Sequence, residues 1–366
     1  MNVAIIGGGA CGVMCAIQLK LKNKNVDVTI FEQNDRILKK VLKTGNGKCN
    51  ISNNQISSEM YNDFRLIEAN QNISVNKELL NLGIVLKETT LGRVYPYSES
   101  AKTVVSVLLR NLEELGVKVV TNCNISNVKY QNDSYILNNS YKYDYLVIAS
   151  GSKAQENTNG YQLVKSLGHS ISPLSPGLTP IITKEKTSHL QGIRSKCDAY
   201  VNLKKFSGEV LFKNDGLSGI LSLDISRYVN TNDEIILDLM PEYSHLEIKN
   251  LFSNDLKKEV VLEGIFSKML ANELLKRSKN LDELVKNIKA FRFHVMDKKD
   301  FKEAQIVCGG INLSEINDDF SSKLLNKLYF GGEILDVDGA SGGYNLYFAW
   351  LSGIVISNSI NKKILG

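Results

Sequence analysis

Gly7, Gly9 and Gly12 stand in a G-x-G-x-x-G spacing, and Glu32 follows twenty residues after the last of them. Residues of these types at these distances can hold a dinucleotide. Gly7 permits a tight turn, Gly9 lets the backbone approach a pyrophosphate, Gly12 lets a helix pack closely on a strand, and Glu32 can accept both hydroxyls of an adenosine ribose. Gly8, Ala10 and Cys11 complete the same turn with small residues. An acid at position 32 with no arginine directly after it disfavours a ribose 2′-phosphate, and so disfavours NADP at this site.

The glycines do this only if a strand precedes them and a helix follows. Val3 to Ile6 is a short apolar run, Val13, Ile17 and Leu21 recur at helical spacing, and Val26 to Phe31 reads as a second strand ending at Glu32. A βαβ unit of about 30 residues results, with the helix N-terminus offering free N–H groups and a positive dipole end. Further on, Ser98 to Gly116 places Val104, Val105, Leu108, Leu112 and Leu115 on one helical face. Val117–Val120, Ile125–Tyr130, Tyr135–Leu137 and Tyr141–Ile148 then alternate with Asn, Asp and Ser clusters, as a meander running into a buried strand at Ala149-Ser150-Gly151. Three of the five prolines open a β-rich stretch after Ser172, and Ser244 to Lys289 carries Leu, Ile and Lys/Glu at helical spacing. Leu328 to Phe330 is a last strand, followed by a glycine-rich loop and an apolar helix over Asn345 to Ile360.

NAD and FAD share the opening fingerprint, and three segments point to FAD. Thr44-Gly45-Asn46-Gly47-Lys48-Cys49-Asn50 is a loop whose glycines would let backbone amides approach an extended cofactor. The meander leading into Ala149, Ser150 and Gly151 is the layout of two-dinucleotide flavoproteins. Gly332 and Glu333, followed by Gly343, Tyr344, Asn345 and Leu346 at a helix start, would hold a ribityl chain and aim a helix dipole at the flavin. Gln33, Lys40 and Ile125 complete the expected cofactor contacts.

Other groups carry less. Cys49 sits beside Lys48, which could lower a thiol pKa, but a lone cysteine is more often a small apolar packer. His169, His189, His245 and His294 fall in no metal or triad spacing, and Glu333, Asp336 and Asp338 read as ribityl contact and loop caps rather than a metal set. No catalytic residue is assigned and no metal is expected. With 366 residues, 43% hydrophobic and 23% charged, the chain has the profile of a globular protein of more than one domain. The six cysteines are scattered, no secretory or membrane-spanning run is seen, and a cytoplasmic protein with reduced thiols is expected. A net charge of +5 with interspersed signs argues little for nucleic acid as a partner.

Four segments carry a family resemblance: Thr44 through Asn53, Gly92-Arg93-Val94-Tyr95-Pro96, Asp215-Gly216-Leu217-Ser218-Gly219, and Tyr329 through Leu346 with its Gly-Glu-Ile-Leu-Asp-Val-Asp-Gly core. On these the chain resembles the BaiN-like flavoproteins, also called aminoacetone-oxidase-like or NAD(P)/FAD-dependent oxidoreductases. The resemblance implies an α/β fold: a Rossmann-type FAD-binding domain of the two-dinucleotide flavoprotein type, interrupted by a β-rich domain and a small helical subdomain. The expected boundaries are 1–170 and 320–366 for the first, 171–243 and 290–319 for the second, and 244–289 for the third. Lys48, Asn46 and Ser150 stand where the family usually has arginine, glycine and threonine, and Ser152 through Gly160 lacks its proline and extra glycines, so the substrate is not carried over.

The expected activity is hydride transfer through flavin N5 on a small organic substrate, with NAD(P)H as a transient electron donor, since one dinucleotide fingerprint is present and no second stable one. A linked reductase is favoured over an oxidase. Two alternatives stand beside it: an FAD-bearing tRNA-modification protein, and a flavin-binding protein without turnover. Oligomeric state is left open.

Overall fold

The computed structural model describes residues 1–155, 158–253 and 256–365. Glu156 and Asn157 of the stretch after Gly151, Asn254 and Asp255 of the helical segment, and Gly366 lie outside the described residues. The chain forms two compact units, Met1–Ser175 with Val307–Gly366, and Pro176–Ile306.

The first unit is built on a parallel sheet in the order Leu328–Phe330, Tyr145–Ile148, Asn2–Ile6, Asp27–Phe31, Lys118–Val120. Its central strand is an unbroken apolar run because both faces are covered, the pattern of a parallel α/β sheet. The helix Ala10–Lys22 lies between the first two strands in sequence and is buried from Ala10 to Leu19. It packs against the C-terminal helix Tyr344–Leu365, which is as apolar as the sequence suggests; among the described residues no helix is long and apolar enough to cross a membrane. The helix Ala101–Glu114 buries Ala101, Val104, Val105, Leu108 and Leu112, close to the face read from its periodicity.

One strand differs from expectation. Tyr141–Ile148 is two strands: Tyr141–Tyr143 closes the meander with Val128–Gln131 and Ser134–Leu137, whereas Tyr145–Ile148 joins the parallel sheet. Asp144 is the corner, because Asn2 holds it from both sides: Asp144 N–H donates to Asn2 Oδ1 at 2.8 Å, and Asn2 N–H donates to Asp144 Oδ2 at 2.9 Å. Ile125 lies outside the strand Val128–Gln131 and is buried beside the first sheet's carboxyl end.

The second unit contains a closed six-stranded barrel, Ile181–Thr183, Gly216–Ser218, Lys204–Lys213, Arg194–Val201, Glu234–Asp238 and Phe291–Lys298 in neighbour order. Among the described residues, four helices lie between its fifth and sixth strands in sequence: His245–Leu251, Lys258–Glu263, Lys268–Lys276 and Leu281–Lys289. The first starts with a capping box, Ser244 Oγ accepting from Glu247 N–H and Glu247 Oε2 accepting from Ser244 N–H. Ile248, Leu262, Leu270, Leu274, Leu284 and Ile288 share one core with Phe212, Phe291 and Phe293, so the helices and the barrel form a single unit. Residues 307–319 belong to the first unit, since Ile311, Leu313 and Ile316 are buried in its core.

Candidate active site

A cleft opens at the carboxyl ends of the parallel strands in the first unit, where α/β sheets bind ligands. Its lining includes Gly7, Gly8, Gly9, Glu32, Gln33, Lys40, Ile125, Ala149, Ser150 and Gly151, ten of the residues singled out in the sequence. At Gly12 a side chain is impossible, since a Cβ would stand 2.1 Å from the Gly7 carbonyl oxygen. Gly9 caps the helix Ala10–Lys22 without a side-chain hydrogen bond, and no acid occupies the first turn, so the helix end keeps its N–H groups and dipole for an anion. Glu32 is buried at the end of the second strand. Its Oε2 accepts from Gly8 N–H at 2.9 Å, and its Oε1 accepts from both the backbone and side-chain N–H of Asn34 at 2.8 Å. Oε2 is therefore the less engaged oxygen.

The remaining expected residues do not line this cleft. Cys11 is buried against the C-terminal helix and the loop before it: Ser352 Oγ donates to its sulfur at 3.3 Å, and a Cβ on Gly331 would lie 2.5 Å from it. Burial pushes the thiol up to about 12, the Ser352 bond opposing. Ala10 is buried at the helix start. The segment Thr44 to Asn50 is a tight turn, with Gly45, Asn46, Gly47 and Cys49 at positive φ. A Cβ on Gly45 would stand 2.7 Å from Asn50 N, so its glycine serves the turn's own closure. Lys48 points to Glu99 at 2.8 Å, and the Cys49 thiol is wholly buried, pushed up to about 11 by desolvation against a bond to Thr44. A reactive thiolate at Cys49 does not fit that environment.

Gly332 and Glu333 join the site through Lys40, whose ammonium meets Glu333 Oε2 at 2.6 Å. Gly343 packs on Ser52, where a Cβ would lie 2.3 Å from the carbonyl oxygen. Tyr344 is buried edge-on to Tyr61 with ring centroids 5.8 Å apart. Asn345 holds the preceding loop, accepting from Gly339 N–H and donating to Gly339 O, both at 2.8 Å, and Leu346 is packed at the core's margin. Asp336 takes Ser172 Oγ–H at 2.7 Å and Asn62 Nδ2 at 3.1 Å, so it and Glu333 are engaged separately.

Several residues of the cleft carry no sequence motif. Arg36 and Lys39 line it beside Lys40; these basic residues, four to eight positions past Glu32, are the signal the sequence offers. Ser152, Thr158 and Asn159 also line it, and Asn159 Nδ2 donates to Ile125 O at 2.7 Å. Tyr161 does not line the cleft; it is buried and close enough to Glu333 and Asp336 for their charges to raise its pKa behind the larger effect of burial, and it has no local sequence signal.

These residues fit a long dinucleotide with hydroxyls and charge along its length. Ser150 Oγ, Tyr161 OH and Glu333 Oε1 are buried without a hydrogen-bond partner. Such an atom costs about 1–3 kcal/mol when left so. Gly160 has to be glycine for the Ser150 hydroxyl to stand there, as a Cβ would lie 2.0 Å from that oxygen. A chain of ribityl hydroxyls would answer all three oxygens, with Arg36 and Lys39 lining the cleft where a pyrophosphate would need cations.

A parallel sheet, a glycine turn onto a helix, and an acid closing the second strand define a dinucleotide-binding Rossmann unit, here carrying a β-barrel insertion. The chain belongs to the HI0933-like family, whose Rossmann-domain model matches residues 1–359. It is 29% identical to the 3-dehydro-bile acid delta(4,6)-reductase of Clostridium scindens over 99% of each chain. It is 26% identical to the ribosomal RNA dihydrouridine synthase of Haemophilus influenzae over 98% of each chain. Among solved structures it aligns over all of its length, and 78% of the other chain, with the open conformation of a flavocytochrome c3 fumarate reductase, at a TM-score of 0.49 and 14% identity. The protein is an FAD-dependent flavoprotein oxidoreductase.

Proposed function

We propose that the protein reduces a carbon–carbon double bond conjugated to a carbonyl group in a small organic molecule, with a reduced nicotinamide as electron source. The observation that carries this is chemical: the two relatives named above, aligned over nearly their whole length, act by their names on such a bond. One reduces a 3-oxo steroid at positions 4 and 6; the other saturates uracil, whose ring double bond is conjugated to its carbonyl. When bound, FAD supplies a hydride donor at N5 that a nicotinamide can recharge.

The chain's own residues bind and orient. The Gly9 turn and the free end of the helix Ala10–Lys22 would take the pyrophosphate, with Arg36 and Lys39 offsetting its charge. Glu32 Oε2 would take a ribose hydroxyl. Ser150, Tyr161 and Glu333 would meet the ribityl hydroxyls, and Ala149, Gly151, Ile125 and Gln33 would wall the cleft. No cysteine nucleophile is asked for, which agrees with thiols at Cys11 and Cys49 raised by burial.

The test is anaerobic. Protein reduced by NADH or NADPH is mixed with cyclohex-2-en-1-one, then in separate runs with a saturated ketone. Return of the oxidised flavin spectrum with the conjugated ketone alone is the expected result; return with neither, but with dioxygen, would replace the reductase by an oxidase. The second relative, and its Escherichia coli counterpart at 24% identity, favour one other reading, the same reduction on a uridine of RNA. Dihydrouridine formed in ribosomal RNA by the reduced protein, measured by mass spectrometry, would select it.

A further inference from the structure

Arg93 opens the short strand Arg93–Pro96, which pairs antiparallel with Ser52–Asn53 and sets Arg93 opposite Asn53. Side chains alternate along a strand, so Arg93 and Tyr95 share one face while buried Val94 takes the other. The guanidinium is half-buried, yet among the described residues it joins no ion pair and no side-chain hydrogen bond. Lys87, paired across the strands with Tyr95, is answered by Glu99, as is Lys48. A partly desolvated guanidinium without an acceptor is costly, since it carries five N–H donors and cannot shed its proton.

What it faces is the glycine loop before the C-terminal helix. A Cβ on Gly342 would lie 3.7 Å from Arg93 Nε and the same distance from Asn53 Nδ2. Asn53 Nδ2 in turn donates to the Gly342 carbonyl at 2.9 Å, which pins the loop beside the arginine. A second partnerless polar atom stands next door: Asn50 Oδ1 is buried without a hydrogen bond, 2.9 Å from where a Cβ on Gly343 would be. The loop that runs from Glu333, beside Lys40, to Gly342 thus leads from the cofactor cleft to an unanswered donor set and an unanswered acceptor.

We propose that Arg93 binds the carbonyl or carboxylate oxygen of the substrate; this rests on reading the protein as a reductase of conjugated carbonyl compounds. In that reaction the substrate carbon β to the carbonyl gains a hydride and the α carbon gains a proton from solvent or a protein acid. The C=C π bond is lost, and the two electrons come from a dihydronicotinamide that is oxidised to nicotinamide. Between the two additions the charge rests on the substrate oxygen as an enolate, where a bidentate guanidinium stabilises it more than it stabilises the neutral ketone. Arg93 thereby acts where charge develops, which is where an interaction raises the rate.

Benzoate, a planar oxyanion, is the probe. Holoprotein is titrated with it, the absorption of bound FAD reporting occupancy, for the natural chain and for R93A, R93Q and R93K. Each variant is first checked for natural flavin content and thermal unfolding, so that if R93A fails to fold the other two carry the test. The expected result is a saturable spectral change whose dissociation constant rises about 10- to 100-fold in R93A and R93Q and less than about tenfold in R93K, the scale of a charged hydrogen bond. No benzoate effect on the natural protein, or the same constant in R93A and R93Q, overturns the assignment. Reoxidation of the reduced proteins by cyclohex-2-en-1-one separates the two claims. If the natural protein and R93A react equally, Arg93 fails while the reductase reading stands. If benzoate binding depends on Arg93 but no conjugated ketone reacts, the reductase reading fails while the oxyanion site stands.

Discussion

The two units treat their buried polar groups differently. In the barrel unit the buried acids are answered: Asp198 by Lys205 at 2.8 Å and Ser207 at 2.6 Å, Asp238 by Lys289 at 2.6 Å, Glu273 by Arg277 at 2.6 Å and His189 at 2.8 Å. In the Rossmann unit, Asn50, Ser52, Ser150, Tyr161 and Glu333 each keep a buried side-chain oxygen without a partner. Every partnerless buried side-chain atom found among the described residues belongs to this unit. Since a buried polar group is nearly always hydrogen-bonded, exceptions need an explanation, and the proposed FAD contacts would supply one for Ser150, Tyr161 and Glu333. The buried acids of the barrel unit are answered within it, whereas the Rossmann unit leaves polar atoms over, among them Ser150 in the cleft.

The largest effect expected from breaking this contrast is at the glycine turn. G12V places a side chain where even a Cβ falls 2.1 Å from a backbone oxygen, and purified G12V should carry no FAD, read from the ratio of visible to ultraviolet absorbance. Next is a cavity in the other unit. Phe212 is fully buried among Phe291 and Phe293, so F212A should cost about 3–5 kcal/mol of stability while flavin stoichiometry is kept. Loss of FAD in F212A would break the separation of roles.

A smaller but sharper effect has opposite signs in two measurements. Y161F removes a buried hydroxyl that has no protein partner. FAD release should become about tenfold easier, while the flavin-free protein should be as stable as the natural one or more so, by up to about 1 kcal/mol. A structural tyrosine would instead lose stability in both forms. The smallest effect is at Cys49. With its thiol pushed up to about 11, the thiolate is scarce at neutral pH, so alkylation by iodoacetamide should stay slow from pH 7 to 9 and quicken only as the pH approaches that value. C49A should keep flavin reduction within about twofold.

The adenosine end of the site was legible in the sequence because its signal is local. Gly7, Gly9 and Gly12 act through backbone geometry within one turn, and Glu32 sits at the end of the next strand, so spacing alone brings them together. Tyr161 and Arg93 were not legible as site residues. Tyr161 meets Glu333, and Arg93 meets Gly342, only through tertiary folding, and neither pair is marked by a spacing. In the turn from Thr44 to Asn50 the sequence shows the glycines but not the left-handed backbone that Gly45, Asn46, Gly47 and Cys49 adopt there, which Gly45 also needs for closure against Asn50. Asp144 likewise looks like one residue inside a strand until Asn2 is seen holding it as a corner between two sheets.

The most direct test of the contrast is the absorption spectrum of the purified protein, recorded before and after anaerobic addition of NADH and then NADPH. The expected result is about one bound FAD per chain that bleaches with one of the two nucleotides, and whose release is hastened by Y161F. A protein without flavin, which takes up none when FAD is added back, would contradict the assignment of the buried oxygens of the Rossmann unit to a cofactor.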